Sequence, residues 1–192
     1  MPVAFTENDR KRITVSLLDT AETLFAAQGL KKTSLDELVA PAGIAKGSFY
    51  AFFDSKESLY KDVMIRRAPL VARRLADPLA APPGFASLVA LMRATAEILT
   101  TDPLYRRLYT HPGELAAVAR KIGPAEIAEI TPHLLTPLIG YFARGQRDDV
   151  LVADIAPEVL VGVVRTVGLV VLEGDEAVVD ATIRTLARGL LA

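Results

Sequence analysis

Cysteine is absent from the 192-residue chain, which excludes disulfide frameworks, cysteine-ligated zinc, iron–sulfur clusters and thiol nucleophiles together. Nor is there an excess of charge of either sign. Lys and Arg number 22 against 23 Asp and Glu, a formal net charge of -1, so no global basic field draws the protein to nucleic acid and any such contact must be a local patch. The amino terminus, MPVAFTENDRKR, has neither the apolar core nor the small-residue cleavage site of a secretory signal. Long hydrophobic runs are missing too: the most apolar stretch, Val159 to Leu172, carries Arg165 at its middle and is too short to span a bilayer. A cytoplasmic protein without membrane contact is expected.

Catalytic constellations are equally scarce. The chain contains no H-E-x-x-H, no G-x-S-x-G and no P-loop, and Asp148 and Asp149 are adjacent, so their side chains diverge. Its two histidines, His111 and His133, each adjoin a proline and lack metal-ligand spacing. The chain is therefore expected not to be an enzyme, with no catalytic residue, metal or cofactor; a helical enzyme is the rival class.

What is present is helical periodicity in a chain that is 51% hydrophobic, enough for a sizeable core. Ile13, Leu17, Ala21, Leu24 and Phe25 form one apolar stripe. Thr6 to Asp9 supplies cap chemistry before it and Gly29 a stop after it. Ser34 and Glu37 read as a capping box opening a short second helix with Leu35, Leu38 and Val39 inward. Ala42-Gly43-Ile44 makes a tight turn, and a third helix is predicted over about 45–53. A fourth begins at the Asp54-Ser55-Lys56-Glu57 cap signal and runs toward Leu75. Beyond the Asp77-Pro78 and Pro82-Pro83-Gly84 punctuation, helices are predicted near 84–100, 103–110, 112–121, 124–147, 156–172 and 175–191, several with proline near the start. The fold class is all-α.

Two helices joined by a glycine turn are common and most never touch DNA, but the charges around this pair are distinctive. Arg10, Lys11, Arg12 and Lys56 stand in first helical turns, where the macrodipole disfavours cations by roughly 0.3–1 kcal/mol each. A phosphate backbone would compensate them, and Lys31, Lys32, Thr33, Ser34 and Lys46 could join the same surface.

The run Thr33 to Val39, then Ala42 to Tyr50, then Phe53 to Leu59 resembles the DNA-binding signature of TetR-family regulators. The match is dense and gap-free over these residues, whereas the rest of the chain is similar only in length and helix content. The resemblance implies an amino-terminal helix-turn-helix domain, residues 1–54, joined through helix four to a larger helical ligand-binding and dimerisation domain, residues 55–192. It implies a repressor that binds a palindromic operator in double-stranded DNA as a homodimer and is released by a small-molecule effector. Thr33, Ser34, Ala45, Lys46, Gly47, Ser48, Tyr50 and Lys56 fall on DNA-contacting positions, and Phe49, Phe53, Leu38 and Ile44 on the small core of the head. Three residues depart from the signature. Pro41 stands within helix two and should end it early; Ala45 forfeits about 1 kcal/mol of capping; Phe52 stands where tyrosine or histidine is common. They keep open the alternative of a TetR-like small-molecule-binding protein without DNA binding.

For the larger domain, the polar and aromatic residues Tyr105, Tyr109, His111, His133, Tyr141 and Phe142, with Gln146, are the candidates for an effector pocket. Helix 156–172 is apolar over more than one face, with Leu160, Val163, Val164, Val167 and Val171, and helix 175–191 adds Val178, Ile183 and Leu186. These two helices are the expected dimer interface; internal core is the other reading.

Overall fold

The computed structural model describes residues 5–111, 113, 114, 120 and 124–192. Helix α1 spans Glu7–Lys32 and starts where expected: the Thr6 hydroxyl accepts the Asp9 N–H at 3.1 Å, and the Asp9 carboxylate accepts back from Thr6. Its buried stripe is Ile13, Leu17, Ala21 and Phe25. At Gly29 the helix breaks, with φ 82° and ψ 166°, a conformation that is essentially glycine-only. Two short elements follow, α2 over Leu35–Val39 and a 3₁₀ turn over Lys46–Ala51.

Helix α3 covers Lys56–Ala80, longer than its sequence suggests, because it continues through Pro69 and Pro78. Each proline removes one helical donor. Burial of Ala68, Val71 and Leu75 around them supplies tertiary packing that local propensity does not see. Ser55, rather than Asp54, is its cap, the hydroxyl accepting the Ser58 N–H at 3.0 Å. Then come α4 (Phe85–Thr101), α5 (Pro103–Thr110), α6 (Pro124–Arg147), α7 (Pro157–Glu173) and α8 (Glu176–Gly189). The helix predicted over 112–121 falls largely outside the described residues.

Helix α3 is the hub, packing on α1, α4 and α6, while α4 also lies against α5, α7 and α8. Among the described residues there is no sheet, only a bridge between Leu151 and Leu191 that ties down the carboxy terminus. No described helix is long and apolar enough to cross a membrane.

Charged side chains stitch the amino-terminal helices to the rest. Arg66 reaches Asp19 and Glu22 at 2.6 Å, and the neighbouring Arg67 bridges Glu22 to Asp102. Asp102 is buried and also caps α5 by accepting the N–H groups of Leu104 and Tyr105 at 3.1 Å. From α5, Arg107 donates to the Gln28 carbonyl at 3.0 Å while pairing with Glu114. The end of α1 is thus held by a guanidinium, the favourable charge for a helix carboxy terminus.

Candidate nucleic-acid interface

The head is organised by its caps. The Ser34 hydroxyl accepts the Glu37 N–H at 3.2 Å, and Glu37 accepts the Ser34 N–H at 2.7 Å and the Gln28 side-chain amide at 3.0 Å. These donors, Gln28 foremost, hold the Glu37 carboxyl down at about 2. Because the folded value lies below the unfolded one of about 4.3, its contribution is complete above that pH and is lost as pH falls towards 2. Glu37→Gln should therefore melt below the native protein at pH 7, with the gap closing by pH 2; a constant gap across a calorimetric pH series would contradict this.

Helix α2 ends at Val39, so Pro41 lies beyond it in the turn and disturbs no helical bond. Gly43, with φ 67°, makes the left-handed step that reverses the chain. The next element is shorter and tighter than the α-helix predicted over 45–53. Ala45 makes no side-chain cap and Gly47 is a poor helix former, so the segment closes as 3₁₀ turns, Ser48 N–H to Ala45 O at 2.8 Å and Phe52 N–H to Phe49 O at 2.9 Å.

Phe49 anchors this segment. It is fully buried, packs edge-on to Tyr50 at 5.5 Å between ring centres, and meets Phe53 at 6.0 Å. Leu38 is buried with it, and Ile44 is half-buried against the core. With Phe49 turned in, Lys46, Gly47 and Tyr50 turn out, Tyr50 at 59% exposure. A Cβ at Gly47 would meet nothing within 4 Å. Lys46 pairs with Asp36 at 2.8 Å, a contact that raises its pKa. Ser34 is exposed and Ser48 half-buried.

Several cations that sequence alone leaves in search of a phosphate have partners inside the chain. Lys56 Nζ donates to the carbonyls of Leu30 at 3.0 Å and Thr33 at 2.6 Å, closing the end of α1. Arg10 donates to the Ala51 carbonyl at 3.2 Å and lies over Phe52, whose ring also meets Phe5 at 5.2 Å. Lys11 pairs with Glu7 and Arg12 with Asp9. Thr33 is buried, its hydroxyl donating to Gly29 O at 2.8 Å, so its side chain is a structural latch. Lys31 and Lys32 are exposed and enter no ion pair among the described residues. The outward polar face of the head carries Lys31, Lys32 and Ser34, with Lys46, Gly47, Ser48 and Tyr50.

Residues 17–63, which contain all of this geometry except the first turns of α1, match the family model for bacterial regulatory proteins of the tetR family. The head is thus similar to the DNA-binding region of the TetR family. Over 48 residues the chain is 48% identical to the HTH-type transcriptional repressor KstR2 of Rhodococcus jostii, a stretch covering 25% of this chain and 24% of that protein. Over 45 residues it is 42% identical to the biofilm operon regulator IcaR of Staphylococcus aureus, covering 23% of this chain and 24% of that one. The likeness in sequence thus spans about a quarter of either relative. The fold likeness is wider: a putative tetR family transcription regulator from Shewanella sp. PV-4 superposes with a TM-score of 0.71 at 16% identity, over 94% of this chain and 98% of that one.

The six aromatic and histidine side chains read as pocket candidates differ in burial. Tyr141 and Phe142 are fully buried, and the Tyr141 hydroxyl is 2.7 Å from Ser87 Oγ. Tyr105 is buried, its hydroxyl without a hydrogen-bond partner among the described residues. Tyr109 is half-buried beneath Arg165, and His111 is exposed beside the Thr110 hydroxyl. His133 is exposed at the edge of a cleft between α3 and α6.

The candidate interface valines divide similarly. Leu160, Val164, Val167 and Ile183 are buried within the protomer; Val163, Val171 and Leu186 are half-buried; Val178 is exposed. The outward apolar stripe on α7 is instead Val159 and Leu169, each 58% exposed, with Gly162 and Thr166 between them at helical spacing. Apolar residues on every side of α7 hide its phase from the sequence.

Proposed function

We propose that this chain is a TetR-family transcriptional repressor that binds a palindromic operator in double-stranded DNA as a homodimer and is released by a small-molecule effector. The observation that carries the reading is the 3₁₀ segment Lys46–Ala51, anchored inward by Phe49 while Lys46, Gly47 and Tyr50 face solvent. A glycine there lets backbone approach DNA closely, while lysine, serine and tyrosine offer donors to base edges and phosphates. Relatives over this stretch are named as transcriptional repressors. In this reading residues 1–54 are the DNA-binding head and 55–192 the effector and dimer body. It works in the cytoplasm, without a membrane.

The dimer face we assign to α7 and α8 around Val159, Leu169 and Val178, the large apolar side chains these helices expose. Leu169→Asp should give a folded monomer by light scattering, with native helicity by circular dichroism, and should weaken operator binding; a dimer unchanged by this variant would move the interface elsewhere. Two heads on one DNA face must stand about 34–36 Å apart or a multiple of it. Because α3 begins against the head at Lys56 and ends in the body at Ala80, an effector that prefers a different placement of α3 changes that spacing. Fluorescence anisotropy with DNA flanking the protein's own gene tests the reading. Salt-sensitive, saturable binding is expected, and binding no tighter than to unrelated DNA would overturn it.

A further inference from the structure

A cleft of about 290 Å³ opens between the last turns of α3 and the middle of α6. Its α3 wall is small and apolar, Ala72, Ala76 and Ala80 with Leu75 and Leu79, and Pro137 of α6 faces it. The volume stands at the small end of the roughly 300–1,000 Å³ typical of ligand sites, which combine an apolar wall with few polar groups. Here those groups are His133 at one end and Arg144 at the other.

Arg144 differs from the other half-buried arginines of this body, whereas Arg73, Arg106, Arg147, Arg165 and Arg188 are exposed. Arg66, Arg67, Arg74 and Arg107, half-buried like it, each pair with a carboxylate. Arg144 is half-buried, yet among the described residues no carboxylate meets it. It donates to the Leu79 carbonyl at 2.6 Å and lies over the Tyr141 ring at 5.9 Å. A guanidinium carries five donors in a planar fork suited to a carboxylate. One carbonyl and one ring leave most of that fork, and all of its charge, uncompensated beside an apolar wall.

We infer that this cleft binds an apolar molecule bearing a carboxylate, its hydrocarbon body along the α3 alanines and its anion on Arg144. That such a ligand is also the effector rests on the regulator reading above. The link is direct: Leu79 O is one of the carbonyls left open by the end of α3, and Arg144 satisfies it from α6. A carboxylate that draws the fork to itself loosens this tie between α3 and α6, and α3 reaches the DNA-binding head.

The test is calorimetric titration of the full chain with 4-phenylbutyrate and with its neutral isostere 4-phenylbutanamide. The acid should bind at least tenfold tighter than the amide. Arg144→Gln should reduce the acid to the amide's affinity and leave the amide unchanged, and Ala76→Trp, at an exposed position of the wall, should abolish binding of both without lowering the melting temperature. Equal affinity for acid and amide, insensitivity of the acid to Arg144→Gln, or no binding of either probe would each overturn the assignment and leave Arg144 a solvated charge. Operator anisotropy with added acid separates the two readings. If the acid binds through Arg144 and DNA is bound but not released, the cleft stands and its role as effector site falls; if no DNA is bound at all, the regulator reading itself fails.

Discussion

Replacing Lys46 and Tyr50 together by alanine should lower operator affinity about 100-fold or more while leaving the fold intact. Both side chains point away from the core, Tyr50 at 59% exposure, and the ion pair of Lys46 with Asp36 is itself exposed. Such a pair is worth about 0–1 kcal/mol, and the Tyr50 edge contact with Phe49 adds about 0.5–1.5 kcal/mol. The melting temperature should therefore fall by no more than about 5–10 °C, at roughly 2–4 °C per kcal/mol for a chain of this size. On DNA each residue is asked to supply a base-edge or phosphate contact of about 1–3 kcal/mol. Lys46→Ala alone should also reduce the salt slope of binding by about 1. Anisotropy titrations at several salt concentrations measure both quantities. Unchanged affinity in a protein of native helicity would remove this face from the DNA interface.

Gly29→Ala should destabilise the protein by about 3 kcal/mol or more, the larger effect on the fold. With φ 82° and ψ 166°, residue 29 occupies a region where a side chain costs about 1–3 kcal/mol. An added Cβ would also sit inside contact distance of Arg107 and Glu114. Either the backbone of α1 shifts or Arg107 gives up the Gln28 carbonyl and its pair with Glu114, a half-buried guanidinium–carboxylate contact. Gly47→Ala is the contrast: its backbone is not left-handed and its surroundings are open, so stability should hold or rise slightly while DNA affinity falls if the backbone approaches phosphate there. Denaturant titration of both variants distinguishes them; equal stability of Gly29→Ala and the native protein would show that the α1 break is not held by glycine.

The position of Gly29 also shows how far local signals reach. Thr6, Ser34 and Ser55 announce helix starts, Gly29 a stop and Gly43 a turn, because a cap or a left-handed residue acts on backbone groups within four residues of itself. The dense run from Thr33 to Leu59 carried the head in the same way, through residue types at fixed spacing on short elements. Where the outcome depended on a partner distant in sequence, the signal failed. Arg10 and Lys56 look like cations opposed to helix dipoles until Ala51, Leu30 and Thr33 supply carbonyls from other elements. Thr33 matches a phosphate-contacting position yet spends its hydroxyl on Gly29.

By itself, then, the sequence determined an all-helical chain, its caps and turns, an amino-terminal head with Phe49 inward, and the family that head resembles. Tertiary structure decided the rest: that α3 runs through Pro69 and Pro78, that Ala45 and Gly47 leave a 3₁₀ turn, that Val159 and Leu169 rather than Leu160 and Val167 face outward on α7, and that Arg144 meets no acid among the described residues beside a wall of alanines. The physical reason is common to all four. Periodicity specifies that a helix has an apolar face, but when apolar residues line every side only packing against neighbours sets its phase. A charge, likewise, is free or satisfied only in relation to what the fold brings beside it.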